Sequence, residues 1–229
     1  MEKTILKSHL GIAIILGSVW GFTEVALGMG LRSCAALVSG SLMTGVALFF
    51  ISVGWVATRR FFVPILVVLI ACFFKLFDAL LLSLPVKHGA IANPIFAFLM
   101  EGLAFLILVA LFNKNRWQKK SARALLGGGA ALIAISLFPL VKFATGIPAC
   151  VFTGTLVPLS IFFAPVAVVL SAFTVPLGFL AGEKIRSTAA NFEMVIKRKT
   201  LRDLLSPATL VLCLVLAALF RLILTQDMS

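Results

Sequence analysis

The sequence predicts an all-α, polytopic transmembrane bundle, and three observations carry the prediction. The 229-residue chain is 62% apolar and only 12% charged, with a mean hydropathy of +1.17. Apolar runs of bilayer-spanning length, about 20 residues, recur from end to end. The gaps between them are too short for a soluble domain, so residues 1–229 read as a single integral membrane domain.

Seven segments fit the pattern, at about 9–31, 34–57, 62–86, 90–113, 123–146, 156–182 and 205–225. Segments three and four are separated only by Lys87, His88 and their neighbours, which makes them a helical hairpin. The first segment is too long for a cleaved signal peptide, carries Glu24 and lacks a small-residue cleavage site. "LRSC" at Leu31 to Cys34 is a poor lipoprotein box, because Arg32 stands where an apolar or small residue belongs.

The formal net charge of +12 would suggest nucleic acid in a soluble protein. Here its placement points instead to membrane topology. One side of the seven segments receives Lys3, Lys7, Arg59, Arg60, Lys114, Arg116, Lys119, Lys120, Arg123, Lys184, Arg186, Lys197, Arg198, Lys199 and Arg202, and the other receives only Arg32 and Lys87. The positive-inside rule then makes the amino terminus cytoplasmic, with anionic lipid as a secondary partner. A bacterial inner membrane is the natural setting for a chain of this size and bias.

Ionisable residues inside the segments carry the functional question. "GSVWGFTEVALGMG", residues 17–30, puts Glu24 a little beyond the middle of the first segment. "FFKLFDALLL" puts Lys75 and Asp78 past the midpoint of the third, on one face by their spacing of three. In "IANPIFAFLMEGLAF", Asn93, Ala97 and Glu101 share a face by steps of four, with Glu101 near the midplane. The fifth segment carries Ser136, Pro139 and Lys142 along one side. A charge at the bilayer centre costs roughly 2.5–3.5 kcal/mol or more, so such residues face the interior and find partners. Glu24, Lys75, Asp78, Asn93 and Lys142 all fall in the outer half with Glu101 just beneath, which predicts a polar centre opening outward. The plainer alternative is that Lys75 and Asp78 neutralise each other, Lys142 snorkels to the surface, and Glu24 and Glu101 are protonated or locked to helix-interface donors. Arg221, close to the end of the last segment, also reads as a snorkelling side chain.

The first segment has a second feature. Ala13, Gly17, Gly21 and Gly28 lie on adjoining turns, and Gly17 to Gly21 is a GxxxG. Small residues at this spacing admit another helix at close range, either a neighbour within the bundle or a separate membrane subunit. Glu24 lies on nearly the same face, so docking and ligand binding compete for it. Between segments five and six, "GIPACVFTGTLVPLS" is uncharged and rich in proline and glycine, an expected outer lid over the centre. Residues 184–204 form a basic connection on the cytoplasmic side. In it Ile185, Ala189, Phe192 and Ile196 suggest an interfacial amphipathic helix, and Ser206 and Pro207 a start for the last helix.

Several chemistries find no signature. HExxH, GxSxG and aspartate-rich DxxD patterns are absent, as is a P-loop, so no enzyme class is suggested and ATP hydrolysis would have to come from elsewhere. The histidines, His9 and His88, lie at segment ends, and the four cysteines show no CxxC spacing, so no cofactor or metal is expected. Cys34 and Cys150 both fall near the outer face, as a disulfide or as two unpaired thiols.

"GSVWGFTEVALG" together with "NPIFAFLMEGLAF" resembles the integral-membrane substrate-binding subunits of energy-coupling factor transporters, over roughly the first 115 residues. The resemblance implies capture of a vitamin, vitamin precursor or metal-related solute from outside. It also implies docking onto a membrane coupling subunit and two ATPases, through small first-helix residues that here would be Ala13, Gly17 and Gly21. Six spans are usual in that family, so this chain reads as six plus one. The leading expectation is solute binding for uptake. Glu24, Asp78 and Glu101 would orient polar or cationic groups, Lys75 and Lys142 would hold an anionic group or balance charge, and Asn93 would add a hydrogen bond. Two alternatives stand beside it. One is an ion- or proton-coupled carrier using Glu24 or Glu101. The other is a non-transporting assembly protein or lipid-modifying enzyme whose charges only lock helices together.

Overall fold

The computed structural model describes residues 2–30, 37–112, 117, 119–146, 151, 157–195 and 199–226. The helices are α1 (Glu2–Gly30), α2 (Leu37–Thr58), α3 (Phe62–Leu81), α4 (Gly89–Leu111), α5 (Lys120–Leu137), α6 (Val141–Thr145), α7 (Leu159–Val195) and α8 (Lys199–Gln226), with a 3-10 turn at Phe138–Leu140 joining α5 to α6. Among the described residues the only extended pairing is an isolated bridge between Val151 and Pro158.

Among the described residues seven stretches are long and apolar enough to cross a membrane: Ser8–Leu27, Gly40–Thr58, Phe62–Leu81, Gly89–Leu111, Lys120–Thr145, Leu159–Thr188 and Leu204–Ile223. The protein is therefore an all-α, multi-pass bundle. Its helices expose apolar side chains outward, as lipid demands. On α3, Ile65, Leu69, Phe73, Leu76 and Leu80 face out while Val67, Ala71, Phe74, Lys75 and Asp78 face in. The polarity of a soluble amphipathic helix is thus inverted, because the solvent on this face is hydrocarbon.

Two packing regimes divide the bundle. In one, α7 lies against α2 and α5 through small residues. A Cβ at Gly178 would meet Ser52 and come within 2.8 Å of the Phe49 carbonyl oxygen, and one at Gly182 would come within 2.7 Å of Val56. A Cβ at Gly127 would run into the Ser171 backbone. Backbones this close gain dispersion contacts that a larger residue would block. In the other regime, α1 packs on α3 and α8, and α8 reaches α3 as well. Aromatic pairs through α4 tie the two together: Trp20 of α1 meets Phe98 of α4 with ring centroids 4.9 Å apart, and Trp55 of α2 meets Phe105 of α4 at 6.3 Å.

The helix ends follow local rules. His88 caps α4, its Nδ1 accepting from the Ala90 N–H at 3.2 Å. Pro139 removes an amide donor from the fifth span, and the chain there tightens into the 3-10 turn. Gly146, at φ 75°, closes α6 in the left-handed region. The remainder of the expected lid, 147–150 and 152–156, lies outside the described residues, as do Cys34 and Cys150. Cys72 and Cys213 are buried free thiols.

The expected connection at 184–204 takes a different form. Instead of a separate interfacial helix, α7 continues unbroken from the membrane to Val195, and α8 begins at Lys199, leaving Pro207 inside it. Once a helix is nucleated each further residue adds a hydrogen bond, and residues 183–195 contain no proline or glycine to stop it. Ile185 packs against the apolar core. Ile196 and the side chains of Ala189 and Phe192 lie outside the described residues.

Candidate functional site

Five acidic or basic side chains are buried among the described residues: Glu24, Lys75, Asp78, Glu101 and Arg221. They come from four spans, α1, α3, α4 and α8, and each is at most 5% exposed. Glu24, Asp78 and Arg221 lie near the bundle end that carries the α3–α4 turn. The helix period decides which face each takes. Lys75 and Asp78 sit one turn apart on the inward stripe of α3. On α8 the inward stripe is Cys213, Ala217 and Arg221, at successive steps of four.

Asp78 is the hub. The Arg221 guanidinium donates two hydrogen bonds to it, Nε to Oδ1 and Nη2 to Oδ2, the fork geometry that makes arginine–carboxylate pairs strong. Lys75 Nζ lies 3.6 Å from Asp78 Oδ2 and 3.9 Å from Glu24 Oε1. Both separations exceed a normal N–H···O bond, so the ammonium balances two carboxylates by charge without closing tightly on either. The result is an alternating chain, Arg221–Asp78–Lys75–Glu24. Glu24 keeps Oε2 buried with no hydrogen-bond partner.

Glu101 stands apart from this chain. The Thr44 hydroxyl of α2 lies near it, and its Oε2 is buried without a hydrogen-bond partner. Glu24 is near enough for the two carboxyl groups to interact electrostatically. Ser18 of α1 also buries an unpartnered hydroxyl oxygen.

The structure thus brings together Glu24, Lys75 and Asp78, with Glu101 beside them, and leaves two expected members out. Asn93 lies on the first turns of α4, half-buried, with Oδ1 unpartnered and no bond to the charged chain. Lys142 is exposed on α6, and Ser136 is exposed with its hydroxyl bonded to the Leu132 carbonyl of its own helix. Lys142 shares its stripe with Ser136, which is already exposed ahead of Pro139, so Lys142 stands outside the buried charged centre. Arg221 is the opposite correction: it is buried and paired with Asp78, and Thr44 joins it as a residue the sequence reading passed over. The stripe of small residues at 213 and 217, with Arg221 next in step, is the signal that could have found it.

The docking stripe is also corrected. Ala13 is fully buried, a Cβ at Gly17 would lie 2.7 Å from Ile70, and one at Gly21 would strike Phe74. At Gly17 and Gly21 the small residues of α1 admit α3 of the same chain.

The other end of the bundle is basic. Arg123 bonds Glu183 at 2.8 Å and the Trp117 carbonyl at 2.6 Å, and its guanidinium lies over Phe179. Arg59 stacks on Trp55, and burial, followed by the nearby Arg186 cation, pulls it below the usual arginine value. Among the described residues no group of three or more His, Cys, Asp or Glu side chains could hold a metal ion. No protein-family model, curated protein or solved structure matches the chain.

Proposed function

We propose that the protein is an integral-membrane solute-binding component for uptake, with the buried charged centre as its binding site. The observation that carries this reading is the convergence of five ionisable side chains from four spans on one interior region, two of them carboxyls with an unpartnered oxygen. Helix locking alone would be served by the Arg221–Asp78 pair, and it gives no use for the spare oxygens of Glu24 and Glu101. In this reading Glu24 and Glu101 orient polar or cationic groups of a small solute, and Lys75, Asp78 and Arg221 set the surrounding charge. By the charge bias of the loops the centre opens to the outside of a bacterial inner membrane. With no P-loop in the sequence, energy comes from separate ATPase and coupling subunits, docked on a face other than Ala13, Gly17 and Gly21.

Native mass spectrometry of the protein released from membranes into mild detergent tests the reading. The expected result is a small molecule of defined mass bound to the wild-type chain and lost from Glu24→Gln, with both proteins melting at similar temperatures. A chain that carries nothing, and whose Glu24→Gln variant only melts earlier, would refute it in favour of charges that lock helices. Copurification of a coupling subunit and paired ATPases from the native host tests the energising partners. A second reading, a proton-coupled carrier, is favoured by one observation: Glu101 is buried with an unpartnered oxygen and forms no ion pair with a described residue.

A further inference from the structure

We infer that Glu101 is a proton-binding site, holding one exchangeable proton at the middle of the bundle with the Thr44 hydroxyl as its hydrogen-bond partner.

The argument is one of charge and geometry. Lys75 and Arg221 supply two buried positive charges, and Asp78 and Glu24 take both of them through the alternating chain. Glu101 is then the one buried carboxyl left over. It is 4% exposed, lies on the α4 span, and forms no ion pair with a described residue. An ionised carboxylate in hydrocarbon-like surroundings, with a single hydroxyl as donor, lacks the two or three bonds that would stabilise it. A carboxylic acid at the same place has one O–H to donate and the Thr44 oxygen to receive it, and its carbonyl oxygen tolerates burial.

Among the described residues the neighbours supply no other positive charge. From α1 the facing group is Glu24, which is repulsive, and from α3 it is the Cys72 thiol; Lys75 and Asp78 of α3 are engaged in the chain with Glu24 and Arg221. The sequence of α2 contains no ionisable residue, and the described cations of α5, Lys120 and Arg123, sit at its basic end. Lys142 on α6 is exposed. A proton is therefore the cation that makes the centre neutral. Glu24, one helix away and also keeping a free oxygen, marks where that proton or its replacement would next be received.

This does not rest on the solute-binding reading, since a proton can reside on Glu101 whether or not a solute binds. The test is infrared spectroscopy of the full chain in lipid nanodiscs at neutral pH. The expected spectrum contains a protonated-carboxyl stretch that shifts in D2O, disappears in Glu101→Gln, survives in Glu24→Gln and persists at a shifted position in Glu101→Asp. No such band in the wild type, or one that persists in Glu101→Gln, overturns the inference. Loss of the band in Glu24→Gln alone moves the proton to Glu24 and also overturns it. Sodium chloride at fixed pH should leave the band in place. Its removal by sodium but not by potassium would replace the proton with a metal cation.

Dicyclohexylcarbodiimide labelling of the wild type needs no variant to fold. A protonated carboxyl adds its oxygen to the central carbon of the reagent and its proton to a nitrogen, with nothing leaving. Peptide mapping should place the adduct on Glu101, and an adduct confined to Glu24 or Asp78 contradicts the assignment.

Discussion

Asp78→Asn and Arg221→Met should each cost several kcal/mol of stability, and together much less than the two costs summed. Removing Arg221 leaves Asp78 and Glu24 with one buried cation between them, Lys75, at 3.6 and 3.9 Å. Removing the Asp78 charge leaves Lys75 with Glu24 and weakens the acceptor of the two guanidinium bonds. Either change breaks a buried ion pair by removing one partner, which costs about 3–5 kcal/mol. At roughly 2–4 °C per kcal/mol for a chain of this size, either variant should melt about 6–20 °C below the wild type. The double variant Asp78→Asn/Arg221→Met removes both members of the pair and should cost less than the two single losses added together. The assay is tryptophan-fluorescence melting in nanodiscs of one lipid composition, read as a double-mutant cycle. A double variant whose cost equals the two single costs added together would refute the account of Asp78 and Arg221 as one coupled buried pair.

Other substitutions check the remaining assignments. Gly21→Ala should destabilise by about 1–3 kcal/mol, because its Cβ strikes the buried ring of Phe74, and it should show no selective loss of partner binding in a pull-down. Lys142→Ala should change the melting temperature by less than about 0.5 kcal/mol equivalent and leave the bound-solute mass peak intact, as befits an exposed side chain. Arg123→Ala should cost more than Glu183→Gln. The ion pair is partly exposed and worth roughly 0–1 kcal/mol, while the Trp117 bond and the Phe179 contact belong to Arg123 alone.

By itself the sequence determined the solvent and therefore the architecture. Apolar runs of spanning length leave no choice but helices, since the bilayer offers no partner for a bare amide, and the seven segments agree with the seven spans to within a few residues at most ends. It also determined that Glu24, Lys75, Asp78 and Glu101 are interior residues, because each is a costly charge in such a span. It did not determine which interior face each helix presents to which neighbour. That depends on contacts between residues far apart in the chain: Arg221 meets Asp78 across 143 positions, a pairing that neither local spacing nor depth announces. The same limit explains Gly17 and Gly21, whose spacing says that a helix approaches closely, while only the packing of α3 says which helix it is. Lys142 shows the converse. Its depth matched the charged centre, but the stripe it shares with Ser136 faces out, already at Ser136 ahead of Pro139. Depth is set by hydropathy along one segment; partnership is set by the rotation of each helix about its axis, which only the assembled bundle decides.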